Sequence, residues 1–101
     1  MPVNTEWADD GGTLYIRISG RFDFQVHREF SDASKQADPG QTQVVIDMGQ
    51  VEYMDSAALG MLLLLRERHG GDGARIRIVN CNEATKKILT ISNFHRLFHI
   101  D

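Results

Sequence analysis

Asp55 and Ser56 are the pair whose types and placement best fit chemistry. They stand in Tyr53-Met54-Asp55-Ser56-Ala57-Ala58-Leu59-Gly60-Met61, where a strand or loop hands over to an apolar helix. Three chemistries are open to such a pair. The first is a plain helix start. A serine oxygen accepts a hydrogen bond from an otherwise unpaired helix N–H, and an aspartate just outside the helix sits well at the positive end of the dipole. The second is nucleophilic attack, which needs a base within hydrogen-bond reach of the serine. Met54-Asp55-Ser56-Ala57-Ala58 is not a Gly-x-Ser-x-Gly elbow, no histidine is adjacent, and Asp55 is a poor base for a hydroxyl at neutral pH. No catalytic residue is therefore expected. The third is phosphorylation. A phosphate at a helix N-terminus is tolerated by the dipole and adds about -1.5 to -2 of charge beside Asp55, so the fold stands while a docking surface is spoiled.

Other chemistry-bearing residues point to bland roles. His95 and His99 are four apart, a metal-like spacing in a helix, but they fall where a loop and a strand are expected, with no cysteine or carboxylate joining them nearby. No metal site and no cofactor are expected. Gly70-Gly71-Asp72-Gly73 lacks the Lys-Ser/Thr ending of a phosphate-binding loop and reads as a turn. Cys81, beside an expected helix start, could have a lowered pKa, but a small inert core residue is the better reading. Trp7 is expected to be partly buried near a hairpin.

Composition narrows the class. A chain of 101 residues has room for one core, so residues 1–101 read as one domain. Hydrophobic residues at 42% and charged residues at 25% are ordinary globular values. The net charge of -3 argues against nucleic acid. Arg66-Glu67-Arg68, Arg75-Ile76-Arg77 and Lys86-Lys87 are the densest basic groups, and none is a patch. One cysteine cannot form an internal disulfide, which favours a reducing compartment. Residues 1–12 hold three acidic side chains and no apolar core, so no secretory signal is read there. The apolar run at residues 61–65 is far shorter than the roughly 20 residues of a membrane span. The expectation is a soluble cytoplasmic domain.

The elements that would position Asp55 and Ser56 follow from periodicity. Leu14, Ile16 and Ile18 alternate with polar residues as in a strand with one buried face. Asp9-Asp10-Gly11-Gly12 is turn chemistry, so residues 5–8 can pair with that strand as a hairpin. Gly20 is expected to end the strand and Asp23 to cap a helix with Val26, Phe30, Ala33 and Ala37 inward. Residues 43–48 read as a strand buried on both faces through Val44, Val45 and Ile46. Residues 51–54 lead into a helix over 57–69, ended by Gly70-Gly71. Residues 75–79 form another strand. A third helix, capped by Asn80 or Asn82, runs through about Ser92 with Ala84, Ile88 and Ile91 inward, stopping near Asn93. Residues 97–100 close with a short strand. The result is an α/β domain with about five strands and three helices, its sheet mixed because of the hairpin.

The second helix is too apolar for one buried face. On a helical wheel Ala58, Leu59, Leu62, Leu63 and Leu65 share an arc of about 160°, enough to pack on a sheet. Arg66 falls in the same arc, where its stem can lie on apolar surface while the guanidinium reaches water. Ala57, Gly60, Met61 and Leu64 fall outside it. Either neighbouring helices cover this strip, or it is a partner-binding surface, small at Ala57 and Gly60 and adaptable at Met61.

Gly20-Arg21-Phe22-Asp23, the strand Val44-Val45-Ile46-Asp47 and Tyr53-Met54-Asp55-Ser56-Ala57-Ala58-Leu59-Gly60 resemble the STAS domains of bacterial anti-sigma factor antagonists. The third helix and tail, from Ala84-Thr85-Lys86-Lys87-Ile88-Leu89 to Phe94, Leu97 and Phe98, are similar to that family's ending in order and length. The resemblance implies a mixed four- or five-stranded sheet backed by about three helices. It also implies a serine phosphorylated by an anti-sigma factor of the GHKL-type ATPase fold and dephosphorylated by a PP2C-type phosphatase. By position Ser56 is the phospho-acceptor, Asp55 its acidic neighbour, and Asp23 lies near the same rim. The family often has a second Ser or Thr and then Gly after the acceptor, where this chain has Ala57 and Ala58. Ser56 is thus the only acceptor in the motif.

The function expected is a non-enzymatic switch in transcription regulation. Unphosphorylated, the domain would bind an anti-sigma factor; phosphorylated at Ser56, it would let go. Asp23, Asp55, Ser56, Ala57, Gly60, Met61 and Leu64 would form the partner-binding surface. Two other readings stand beside it: a STAS subunit of a larger assembly such as a lipid-transport complex, and a small-ligand-sensing STAS domain.

Overall fold

The alternating residues of the first hairpin set the sheet. In the computed structural model, which describes residues 2–101, β1 (Val3–Trp7) runs antiparallel to β2 (Thr13–Phe22). β3 (Gln43–Met54), β4 (Ile76–Val79) and β5 (His99–Ile100) follow, each parallel to its predecessor, in the spatial order β1-β2-β3-β4-β5. Between the parallel strands run α1 (His27–Ser34), α2 (Ser56–Arg68) and α3 (Glu83–Ile91). Among the described residues this gives a five-stranded mixed sheet with three α-helices and short 3-10 turns. Right-handed crossovers between sequential neighbours place all three helices over one face.

That face is the core. Leu14, Ile16, Ile18 and Phe22 of β2 and Val44, Ile46 and Met48 of β3 are fully buried, against Phe30 and Ala33 of α1, Leu62 and Leu65 of α2 and Leu89 of α3. Val45 is buried as well, as the continuous apolar run of β3 requires. The opposite face carries Glu6, Arg17 and Asp47, linked by ion pairs across β1, β2 and β3.

Four sequence expectations are corrected. Gly20 does not end β2. It takes φ +76 inside the strand, where the register with β3 shifts, and the strand runs on to Phe22. Residues 43–48 and 51–54 are one twelve-residue strand rather than a strand and a lead-in. The buried face of α3 is turned by one residue: Thr85 and Leu89 are buried, Ile88 is half-buried, and Ala84 and Ile91 are exposed. The cap sets that phase. Asn82 Oδ1 accepts from the Thr85 N–H at 2.8 Å, and the Thr85 hydroxyl donates back to the Asn82 carbonyl at 3.2 Å, so a satisfied threonine can enter the core. Trp7, expected partly buried, is 42% exposed.

Candidate functional site

Phe22 at the end of β2 pairs with Met54 at the end of β3. The next residues, Asp23 and Asp55, therefore emerge side by side at the carboxyl edge of the parallel strands, the usual location of sites in such sheets. They have nearly the same backbone, φ -141 and ψ -171 at Asp23 and φ -134 and ψ -170 at Asp55. Each is a cap. Asp23 Oδ1 accepts from the Gln25 N–H at 3.0 Å and opens a 3-10 turn, Phe24–Val26, that leads into α1. Asp55 Oδ1 accepts from the N–H groups of Ala57 at 3.0 Å and Ala58 at 3.3 Å, at the head of α2.

The reading of Ser56 as the cap is thereby corrected. The carboxylate one residue earlier satisfies the free N–H groups, so Ser56 is the first residue of the helix proper. It is exposed, and its hydroxyl makes no hydrogen bond among the described residues. The arrangement can present a hydroxyl at the positive end of a helix beside two carboxylates. Both carboxylates are already engaged, Asp55 by the Ala57 and Ala58 N–H groups and Asp23 by the Gln25 N–H and Arg21.

The strip on α2 divides. Ala57 and Gly60 are half-buried and Leu64 is 70% exposed, but Met61 is 8% exposed and counts as core. The expectation of a surface Met61 is corrected: it faces α1, which shields most of it. Gly60 has open space within 4 Å of where a Cβ would stand, so packing does not demand glycine there. Leu63, expected inward, is 39% exposed. The stem of Arg66 is largely covered, as expected, and its head group lies at the surface: Nε donates to the Leu97 carbonyl at 3.2 Å and the guanidinium pairs with the exposed Asp72 at 2.6 Å, tying α2 to the segment before β5.

Two aromatic side chains at this edge escaped the sequence reading. Phe24 is 65% exposed and stacks on His27 with ring centroids 4.3 Å apart. Tyr53 is 43% exposed beneath the Arg21 guanidinium, 4.2 Å from the ring centre, while Arg21 Nε donates to Asp23 Oδ2 at 3.1 Å. The signal for Phe24 was its position: it follows the Asp23 cap as Ser56 follows the Asp55 cap. Elsewhere, His95 lies exposed in the 3-10 turn Phe94–Arg96, and His99 Nε2 contacts Asp101 at 2.8 Å. Burial raises the Cys81 thiol pKa above its ordinary value, which disfavours the thiolate form.

With this geometry in view, comparison with known proteins settles the family. Residues 6–99 match the family described as "Mlab, STAS domain". The chain is a STAS domain. A STAS-domain containing protein of Pseudomonas aeruginosa (strain UCBPP-PA14) is 48% identical over 100 residues, covering 99% of both chains. Among solved structures, an anti-sigma factor antagonist from Mycobacterium paratuberculosis superimposes with a TM-score of 0.75 at 20% identity, over 97% of this chain and 84% of that one. The anti-sigma factor antagonist SpoIIAA in its unphosphorylated form gives 0.68 at 19% identity, over 98% and 86%. The Bacillus cell fate determinant SpoIIAA in its phosphorylated form gives 0.66 at 19%, over 98% and 90%. At such identities the likeness is one of fold: the STAS fold of the SpoIIAA type, present in anti-sigma factor antagonists. Among the described residues, no helix is long and apolar enough to cross a membrane.

Proposed function

We propose that this STAS domain is a non-enzymatic, cytoplasmic anti-sigma factor antagonist controlled by phosphorylation of Ser56. The observation that carries the reading is the division of labour at the head of α2. Asp55 takes the capping bonds and leaves the Ser56 hydroxyl exposed and unbonded. A hydroxyl in that position is open to a kinase, and a phosphate on it meets the positive helix end, so modification spares the fold.

In this reading the unphosphorylated domain docks an anti-sigma factor of GHKL type on the edge formed by Asp23, Asp55, Ser56, Ala57, Gly60 and Leu64. Phe24 and Tyr53 join them as aromatic anchors of the kind that dominate interfaces. Phosphorylation adds charge beside Asp23 and Asp55, which docking would have to desolvate, and the partner is released. A PP2C-type phosphatase resets the domain. SpoIIAA, which shares the fold, has both phosphorylated and unphosphorylated forms.

Phosphosite mass spectrometry on protein isolated from its own cells tests the assignment. A phosphorylated fraction at Ser56 that disappears in Ser56→Ala is expected. Its absence under all growth conditions would favour the competing role, a permanent subunit of a larger complex.

A further inference from the structure

The groove between α1 and α2 is a cleft of about 430 Å³. Its body is apolar, formed by Phe30 of α1 and Met61, Leu64 and Leu65 of α2. The rim is polar: His27 and Ser31 on one helix, Glu67 and Arg68 on the other. The volume is roughly three times the 150 Å³ of an apolar cavity that takes up benzene, and lies in the range of about 300–1,000 Å³ of small-molecule sites.

The rim has unspent polar groups. Arg68 makes no ion pair or hydrogen bond among the described residues, unlike Arg17, Arg21, Arg66 and Arg77. Among the described residues the His27 ring is engaged only by stacking on Phe24, and the Ser31 hydroxyl is unbonded, although its carbonyl accepts from Ser34 Oγ at 2.8 Å. Glu67 is next to Arg68 in sequence, and adjacent helix positions do not face each other, so it does not neutralise the guanidinium. It does disfavour a second negative charge.

Both helices start at the same sheet edge, so Arg68 and His27 mark opposite ends of the cleft. From Met61 to Arg68 the helix rises about 10 Å. That suits a chain of roughly eight to ten carbons lying between the helices, with its charged end at Arg68.

We propose that the α1–α2 cleft binds a monoanionic amphiphile, its carboxylate paired with Arg68 and its alkyl chain packed among Phe30, Met61, Leu64 and Leu65. The cleft shares Leu64 with the proposed docking edge but does not include Ser56. The test is an NMR titration of the full chain with decanoate, decan-1-ol and decyltrimethylammonium below their micelle concentrations. Decanoate should bind saturably at one site, with shifts concentrated in residues 27–34 and 61–68. Arg68→Gln should weaken decanoate about tenfold, the loss expected for one charged hydrogen-bonding group. Ser31→Trp, which fills the mouth, should abolish binding, with thermal melts confirming that both variants fold. Absence of saturable decanoate binding, equal affinity for decan-1-ol, or unchanged affinity in Arg68→Gln overturns the proposal. Binding to anionic vesicles without binding of free decanoate overturns it in favour of a bilayer surface.

Discussion

Asp55 Oδ1 accepts the N–H groups of both Ala57 and Ala58, while the neighbouring Ser56 hydroxyl accepts none. Stability should follow that asymmetry. Asp55→Ala should lower unfolding free energy by about 1 kcal/mol, the usual loss on removing a cap. Ser56→Ala, at an exposed first helical position where alanine is a good helix former, should change it by less than about 0.5 kcal/mol. Urea midpoints measure both, and a larger loss for Ser56→Ala would contradict the capping assignment. A second residue makes stability depend on pH. His69, which caps the end of α2, is 3% exposed and neither ring nitrogen completes a hydrogen bond among the described residues. Burial pushes its pKa below the ordinary 6.5, helped by the nearby Arg68 charge and opposed by the Ser34 backbone. The unfolded chain therefore binds the proton first. Stability is complete above about pH 6.5, falls as pH drops toward the lowered native value, and levels off beneath it. Asp47 and Asp101, both held below the ordinary carboxylate value, titrate in the acid range outside this window. His69→Leu should flatten the profile below about pH 6.5 in denaturation series; an unchanged slope would assign it elsewhere.

On α2, burial separates Met61 from Leu64, although both lie on the strip outside the expected core arc. Leu64→Glu at a 70% exposed site should leave stability within about 0.5 kcal/mol while weakening partner binding about tenfold. Met61→Glu places a charge at an 8% exposed site and should cost roughly 2–3 kcal/mol of stability. Comparing thermal melts with affinities for the two variants checks the division, and equal stability losses would place the whole strip in the core. The strands and helix order were legible because their sequences have a phase: Leu14, Ile16 and Ile18 alternate, and Phe30, Ala33 and Ala37 recur at helical spacing. α2 is apolar nearly all round, so nothing local says which leucine faces α1 and which faces water. Packing decides, leaving Leu63 outward and Met61 inward. α3 misled in a different way. Its apolar stripe of Ala84, Ile88 and Ile91 is displaced from the core because the Asn82–Thr85 hydrogen bonds fix the helix rotation. The Asp-Ser pair was legible as a site, but its internal division was not. Which of two good capping residues takes the N–H groups is settled by where Met54 ends the strand.

At the scale of the molecule, the Cα radius of gyration of 12.3 Å is close to the about 13 Å of a folded chain of this size, consistent with a single core behind one sheet. A net charge of -3 without a basic cluster disfavours DNA binding, so the proposed function is expected to run through proteins. The purified domain should not retain duplex DNA at about 150 mM salt, and retention there would contradict that route. The central claim is a change of partner on modification at one hydroxyl. Its most direct test is the affinity of enzymatically phosphorylated and unphosphorylated protein for the cognate anti-sigma factor, measured side by side by calorimetry, with Ser56→Ala as the form that cannot be modified. The account predicts binding at least about a hundredfold weaker on phosphorylation, a loss of about 2.8 kcal/mol, with Ser56→Ala matching the unphosphorylated chain. Equal affinities for the phosphorylated and unphosphorylated chains would contradict it.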